Sequence, residues 1–246
     1  MLTKSRIKDI QSLAQKKQRE ERGQFLLEGP KLVNELLRTH RSQAIEIFAL
    51  PTWIEANASL IQGVPTVMIT PNELTRISQL TTPNQVVAIV KPMPLVPLVL
   101  KSKITLVCCG IQDPGNLGTI IRTADWFGVH QIVCSEDTVD LYNPKVVQST
   151  MGSIFRVSVQ YADLLPWLSS HQNIPVYATL LQGQDVTAHS PIREGIILIG
   201  NESKGIPPEL IEMASHKISI PGKGNAESLN AAVATGIILS HLSGNE

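Results

Sequence analysis

A short apolar run, Ile104 to Cys108, is followed by Ile120, Ile121, Ala124 and Phe127. Consecutive apolar residues mark a strand buried on both faces, whereas apolar residues three and four apart mark one face of a helix. The intervening stretch, Asp113-Pro-Gly-Asn-Leu-Gly-Thr-Ile-Ile-Arg122, therefore carries the chain from strand to helix. A Gly- and Asn-bearing loop is expected there, at a strand's carboxyl end, which is where α/β proteins place ligands. Arg122 stands two residues after Ile120 and so faces a different side of the helix. Taken alone, it reads as a solvated arginine paired with Asp125, three residues on.

The same alternation runs through both halves of the 246 residues. Residues 4–17 read as an amphipathic helix with Ile7, Ile10, Leu13 and Ala14 on one face. Strands are expected at Phe25–Leu27, Ala44–Leu50, Pro65–Ile69 and Val86–Val90, with a helix opening at Pro30 and others over 53–61 and 71–78. Residues 91–97, Lys-Pro-Met-Pro-Leu-Val-Pro, hold three prolines and predict a semi-rigid connector. The boundary falls there: a small α/β domain over 1–97, then a second α/β domain over 98–246. In the second, strands are expected at 104–108, 131–134, 155–159, 175–180, 196–200 and 217–220. Helices are expected at 118–127, 144–150, 162–170, 208–214 and 228–242. Such alternation predicts a mostly parallel sheet covered on both faces.

Net charge is zero but unevenly spread. Residues 1–97 hold 12 Lys/Arg against 8 Asp/Glu, and residues 98–246 hold 9 against 13. A basic front end on an acidic body points to phosphate backbones as partners of the front end. Cys108, Cys109 and Cys134 have no metal-ligand spacing and are odd in number. They read as small core hydrophobes in a reducing, cytoplasmic setting. No apolar run has the length of a signal core or a membrane span.

Two further loops carry chemistry. Ile196-Ile-Leu-Ile-Gly-Asn-Glu-Ser-Lys-Gly-Ile206 ends a strand at Gly200 and closes at Gly205, before Pro207 and Pro208 open a helix. Glycines there admit a ligand to the backbone, and a turn by itself does not require Glu202. Ile218-Ser-Ile-Pro-Gly-Lys-Gly-Asn-Ala-Glu-Ser-Leu-Asn230 joins the last strand to the last helix, with Ser228 as the expected N-cap. Gly115-Asn-Leu-Gly118 lacks the third glycine of the dinucleotide fingerprint, and neither Lys204 nor Lys223 fits a P-loop. The six scattered histidines suggest no metal.

In this order the three loops resemble those of the SpoU (TrmH-like) family of S-adenosylmethionine-dependent RNA ribose 2′-O-methyltransferases, in the SPOUT class. Its first motif is present as Asn116, Gly118 and Arg122. The second is present as Gly200, Asn201, Glu202 and Gly205, and the third as Ile220-Pro221, Ser228-Leu229-Asn230 and Ala234. The resemblance spans residues 98–246. Phe25-Leu-Leu-Glu-Gly-Pro-Lys-Leu-Val matches the opening of the family's RNA substrate-binding domain more weakly. Ser203 stands where the family often has Gly, and Gly222 where Met is common.

The resemblance implies a C-terminal trefoil knot around one S-adenosylmethionine. Backbone at Gly200, Ile220 and Leu229 would hold adenine and ribose, with Thr179, Leu180, Asn201 and Gly205 lining the same pocket. Arg122 would grip the phosphate beside the target nucleotide and polarise the 2′-hydroxyl. Asn116 and Glu202 would orient Arg122, while Ser228 and Asn230 would contact the nucleotide or Glu202. The implied partners are RNA (rRNA ahead of tRNA) and a second copy of the chain, paired through helix 118–127 and the last helix, with neither metal nor membrane. Two other readings are an α/β mononucleotide-binding protein using Asp113–Gly118 for phosphate, and a catalytically silent RNA-binding module. Arg122 and Ser228-Leu229-Asn230 argue against both.

Overall fold

The computed structural model describes residues 1–244, which divide into two compact units. Met1–Pro94 together with Tyr142–Phe155 form the first, and Leu95–Leu141 with the residues from Arg156 onward form the second.

In the first unit the expected helix over 4–17 is two helices, α1 (Lys4–Ser12) and α2 (Lys16–Arg22). Ile7, Ile10 and Leu13 are buried as the spacing requires, but Ala14 lies beyond the helix end and is exposed. The guanidinium of Arg19 donates to the carbonyls of Leu13 and Ala14 at 2.9 and 2.7 Å, serving C-terminal acceptors that a helix leaves open. Much of the basic front end is committed in this way. Arg19 is buried, Arg22 pairs with Asp9, Arg6 with Glu46, Lys16 with Glu20 and Lys17 with Glu21.

The chain continues through β1 (Phe25–Glu28), α3 (Pro30–Thr39), β2 (Ala44–Ala49), α4 (Pro51–Ala56), β3 (Thr66–Met68), α5 (Pro71–Ile77) and β4 (Val86–Val90). The sheet order is β1-β4-β2-β3, with antiparallel pairs on both sides of β4 and a parallel pair between β2 and β3. β4 is buried at all five positions, as befits a central strand. Glu28 is buried, and burial raises its carboxyl above the usual carboxylate range. It accepts hydrogen bonds from Ser78 Oγ and Gln79 N. Lys91–Leu100 has no regular structure, consistent with its prolines.

The second unit begins with β5 (Ile104–Cys109), α6 (Pro114–Trp126) and β6 (Gln131–Ser135). The chain then joins the first unit as α7 (Pro144–Ser149) and a 3-10 turn at Ser153–Phe155. The Tyr142 ring packs on Phe25 at 4.4 Å, Phe155 stacks on His40 at 5.6 Å, and Gln148 Nε2 donates to the Glu28 carbonyl at 3.0 Å. The buried apolar residues Ile154 and Phe155 belong to that packing, so the strand expected at 155–159 starts later, as β7 (Ser158–Ala162). There follow α8 (Leu164–Ser169), β8 (Val176–Asp185), β9 (Gly195–Gly200), α9 (Pro208–Glu212), β10 (His216–Ser219) and α10 (Ala231–Leu242).

All five pairings of this six-stranded sheet are parallel, in the order β10-β8-β9-β5-β6-β7. β5 and β9 are neighbours, with Cys109 opposite Gly200. From β5 the chain proceeds to β6 on one side, and from β9 to β10 on the other. Loops that diverge in this way open a crevice at the carboxyl ends of the two strands, the usual ligand position in such sheets.

Candidate active site

The strand ends at β5 and β9 are tied together by one side chain. Asn201 Nδ2 donates to the carbonyl of Gly110 at 2.7 Å, while its Oδ1 accepts from the amides of Ser203 and Lys204 at 2.9 and 3.0 Å. Asn201 and Gly205 also exchange backbone hydrogen bonds, which closes a tight turn. Gly200 sits under that turn. A Cβ on it would lie 2.7 Å from the Gly205 carbonyl carbon and 2.8 Å from the Ile206 nitrogen, so only glycine fits.

This turn forms one wall of a cleft of about 1020 Å³. Thr179 and Leu180 from β8, Gly200, Asn201, Glu202 and Gly205 from the second loop, and Ile220, Ser228 and Leu229 from the third all line it. Ile199, Ile206, Ile218 and Ile238 supply apolar floor that the loop motifs did not reveal; their strand and helix periodicity marked them only as core. The Thr179 hydroxyl is spent on the Leu198 carbonyl at 2.7 Å and holds β8 against β9 just past their last ladder pair, Ala178 with Leu198. An apolar cavity with a few convergent polar groups and exposed loop backbone suits a ligand with a flat heterocycle and a polar tail.

The residues of the first motif lie within α6, not in a loop before it. Asp113 is the N-cap, accepting from Asn116 N at 2.9 Å, and Pro114 opens the first turn. A capping carboxylate and a proline with its φ already fixed outweigh the low helix propensity of Gly115 and Gly118. The Asp113 carboxylate also occupies the position a phosphate would take at this helix end, which disfavours the mononucleotide-binding alternative.

Asn116 joins all three motifs. Its Nδ2 donates to Glu202 Oε1, and its Oδ1 accepts from Asn230 Nδ2 at 2.8 Å. Asn230, not Ser228, caps α10, its Oδ1 accepting from Ala232 and Val233 amides at 3.0 and 3.2 Å. The helix accordingly starts at Ala231, later than the spacing suggested, and Ser228 is left exposed at the cleft.

Arg122 is exposed on α6, off its buried face of Leu117, Ile120, Ile121 and Ala124. Asp125 does not hold it; that carboxylate accepts from Arg156 Nε at 2.8 Å. Among the described residues, neither Asn116 nor Glu202 hydrogen-bonds Arg122; they bond each other instead. All three cysteines are buried. The Cys134 thiol alongside and burial push Cys108 up, and burial pushes Cys109 up, so both stay neutral. Among the described residues, no group of three or more His, Cys, Asp or Glu could hold a metal ion.

A parallel α/β sheet with a cleft at its switch point, and a polar chain joining the first turn of α6 to two loops, defines a ligand-binding α/β protein. Comparison with known proteins gives the family. Residues 103–240 match the SpoU rRNA Methylase family and residues 4–88 the MRM3-like substrate binding domain, and the chain belongs to the SpoU family. It is 33% identical, over 97% of its length and 96% of the relative's, to the 23S rRNA (guanosine(2553)-2′-O)-methyltransferase RlmP of Bacillus subtilis. An RNA methyltransferase of the TrmH family from Porphyromonas gingivalis superposes with a TM-score of 0.87 at 34% identity, covering 98% of this chain and 97% of that one. An AdoMet-bound rRNA methyltransferase from Sinorhizobium meliloti superposes with a TM-score of 0.86 at 32% identity, covering 97% and 94%.

Proposed function

We infer that this chain is an S-adenosylmethionine-dependent RNA methyltransferase that modifies a ribose 2′-hydroxyl. The observation that carries the reading is the single cleft lined by the second and third motifs, bonded through Asn116 to the helix that bears Arg122. The relatives named as rRNA ribose methyltransferases and the AdoMet-bound neighbour support it, and they favour rRNA over tRNA.

The residues present fit the cofactor. Gly200, Ile220 and Leu229 offer backbone to a purine and ribose, the isoleucines offer a floor, and Thr179, Leu180, Asn201 and Gly205 complete the walls. When bound, S-adenosylmethionine supplies an already activated methyl group. What remains for the protein is positioning and handling of the hydroxyl proton. A ribose hydroxyl is a weak acid, and a guanidinium stays protonated, so Arg122 acts as a polarising cation rather than a base. It grips the adjoining phosphate and stabilises charge that grows on the 2′-oxygen. Asn116 and Glu202 lock the first turn of α6 and so aim that helix. Asn230 holds Asn116, and Ser228 faces the nucleotide.

The first unit reads the RNA in this account, as the matched substrate-binding family suggests. In this reading the C-terminal segment forms a trefoil knot, which the packing of α10 on α6 and β9 allows. Tracing the chain in an experimental map would decide this. The working assembly is a homodimer through α6 and α10. Trp126 is 84% exposed on α6, and Val233 is 52% exposed on α10. Apolar side chains left open on two helices that pack together are compatible with an interface, and two-fold pairing is the commonest. Light scattering at micromolar concentration should report a dimer; a fully active monomer would remove it. We place the enzyme in the cytoplasm, where three buried thiols stay reduced, a placement that fractionation of cells tests.

Binding is the first test. A ligand at a hundredfold excess over its dissociation constant stabilises the native state by about 2.7 kcal/mol, or roughly 5–10 °C in Tm for a chain of this size. S-adenosylmethionine should produce that shift, and ATP and NAD should not. No shift with S-adenosylmethionine or its demethylated product would count against the reading.

A further inference from the structure

We propose that Ser135, seated by Asp137, is a positioning residue for the cofactor wall, acting through Gly110 and Asn201. This rests on the reading of the cleft as an S-adenosylmethionine site, and it concerns residues outside all three sequence motifs.

Gly110 follows the last residue of β5, so its amide has left the sheet ladder. β6 runs parallel beside β5, with Cys108 opposite Cys134, which brings Ser135 at the end of β6 next to Gly110. Ser135 Oγ accepts the Gly110 N–H at 2.7 Å and donates to Asp137 Oδ1 at 2.5 Å. Thr138 Oγ1 lies 3.0 Å from the same hydroxyl, so its proton goes to the carboxylate or to Thr138, and either way the hydroxyl presents a lone pair to the amide. Gly110 adopts φ +66°, a left-handed conformation that glycine tolerates. A Cβ there would come within 3.0 Å of Asp137 Oδ2, so the carboxylate lies directly over the glycine.

The carbonyl of this same Gly110 receives Asn201 Nδ2. Ser135 therefore fixes the donor side of a peptide unit next to the carbonyl that anchors the Asn201–Gly205 turn. That turn closes over Gly200 and carries Glu202 to Asn116. A second cavity, of about 310 Å³, lies on the other flank of the turn; Gly110, Ser135, Asp137, Asn201 and Gly205 border it. The turn thus has open space on both sides. The polar chain from Asp137 through Ser135, Gly110 and Asn201 holds the start of the turn, while the buried Ile206 follows Gly205 into the core.

The test is S-adenosylmethionine binding by calorimetry, with steady-state kinetics, on the full chain. Loss of one intramolecular hydrogen bond corresponds to about threefold to tenfold in an equilibrium constant. Ser135→Ala should weaken S-adenosylmethionine binding and raise its KM by about that factor, with KM for RNA unchanged and only a small fall in melting temperature. Ser135→Thr, which keeps the hydroxyl, should restore affinity. Wild-type affinity in Ser135→Ala would overturn the proposal, as would equal losses in Ser135→Ala and Ser135→Thr accompanied by a lowered melting temperature. Failure of the wild-type chain itself to bind S-adenosylmethionine would instead overturn the functional reading beneath it.

Discussion

Replacing Arg122 by alanine should abolish measurable methyl transfer while leaving the protein folded and able to bind its cofactor. The side chain is exposed, lies off the buried face of α6, and has no partner in Asp125. Removing such a side chain typically changes stability by less than about 0.5 kcal/mol. Its role as a charge stabiliser carries a much larger effect. Removing one donor aimed at a developing oxyanion costs about a hundredfold to a thousandfold in kcat. Arg122→Lys should recover little, because an ammonium cannot grip phosphate and hydroxyl with a planar fork. Single-turnover kinetics on rRNA, with the melting temperature measured in parallel, separates the two effects. Wild-type turnover in Arg122→Ala would remove this residue from the mechanism.

The second large effect is expected at Gly200. An alanine methyl there would meet the backbone of Gly205 and Ile206, at 2.7 and 2.8 Å, and backbone cannot rotate aside as a long side chain can. Overpacking of this kind costs about 1–3 kcal/mol of stability. Relief comes only by opening the Asn201–Gly205 turn, which breaks the cofactor wall and pulls Glu202 from Asn116. Gly200→Ala should therefore lose affinity for S-adenosylmethionine by more than about tenfold, equivalent to ~1.4 kcal/mol, with a lowered melting temperature. Gly222 is the natural control. It also borders the cleft, but a Cβ there would meet nothing within 4 Å. Gly222→Ala should fold and bind as wild type does, and similar affinities for the two variants would contradict the steric argument.

The legibility of this chain follows the range of the forces involved. β5 and β9 were visible because strands buried on both faces read as near-continuous apolar runs; Thr105 interrupts the run in β5, and its hydroxyl accepts from Gln131 Nε2. Glycine and asparagine at strand ends are ordinary turn residues; the cleft loops were visible because three of them, in order, resemble the family's motifs. The start of α6 at Pro114 was signalled by Asp113 and Pro114, but two glycines obscured it. Ser228 and Asn230 both read as site residues, with Ser228 also the expected cap; both residue types cap well, and the hydrogen bonds show that Asn230 caps α10 while also bonding Asn116. Two features lay out of reach. Tyr142–Phe155 packs with the first unit because Phe25, Glu28 and His40 receive it, contacts more than a hundred residues away in sequence. The chain through Asp137, Ser135 and Gly110 depends on β6 lying beside β5, a register no local pattern contains.

The account stands on one chemical claim: the methyl group goes to a ribose oxygen. Incubating the purified chain with methyl-labelled S-adenosylmethionine and unmodified rRNA, then digesting the RNA to nucleosides, tests it directly. The label should appear in a single 2′-O-methylated nucleoside, with Arg122→Ala giving none. Label on a base, or no transfer to any RNA from a protein that binds the cofactor, would contradict it.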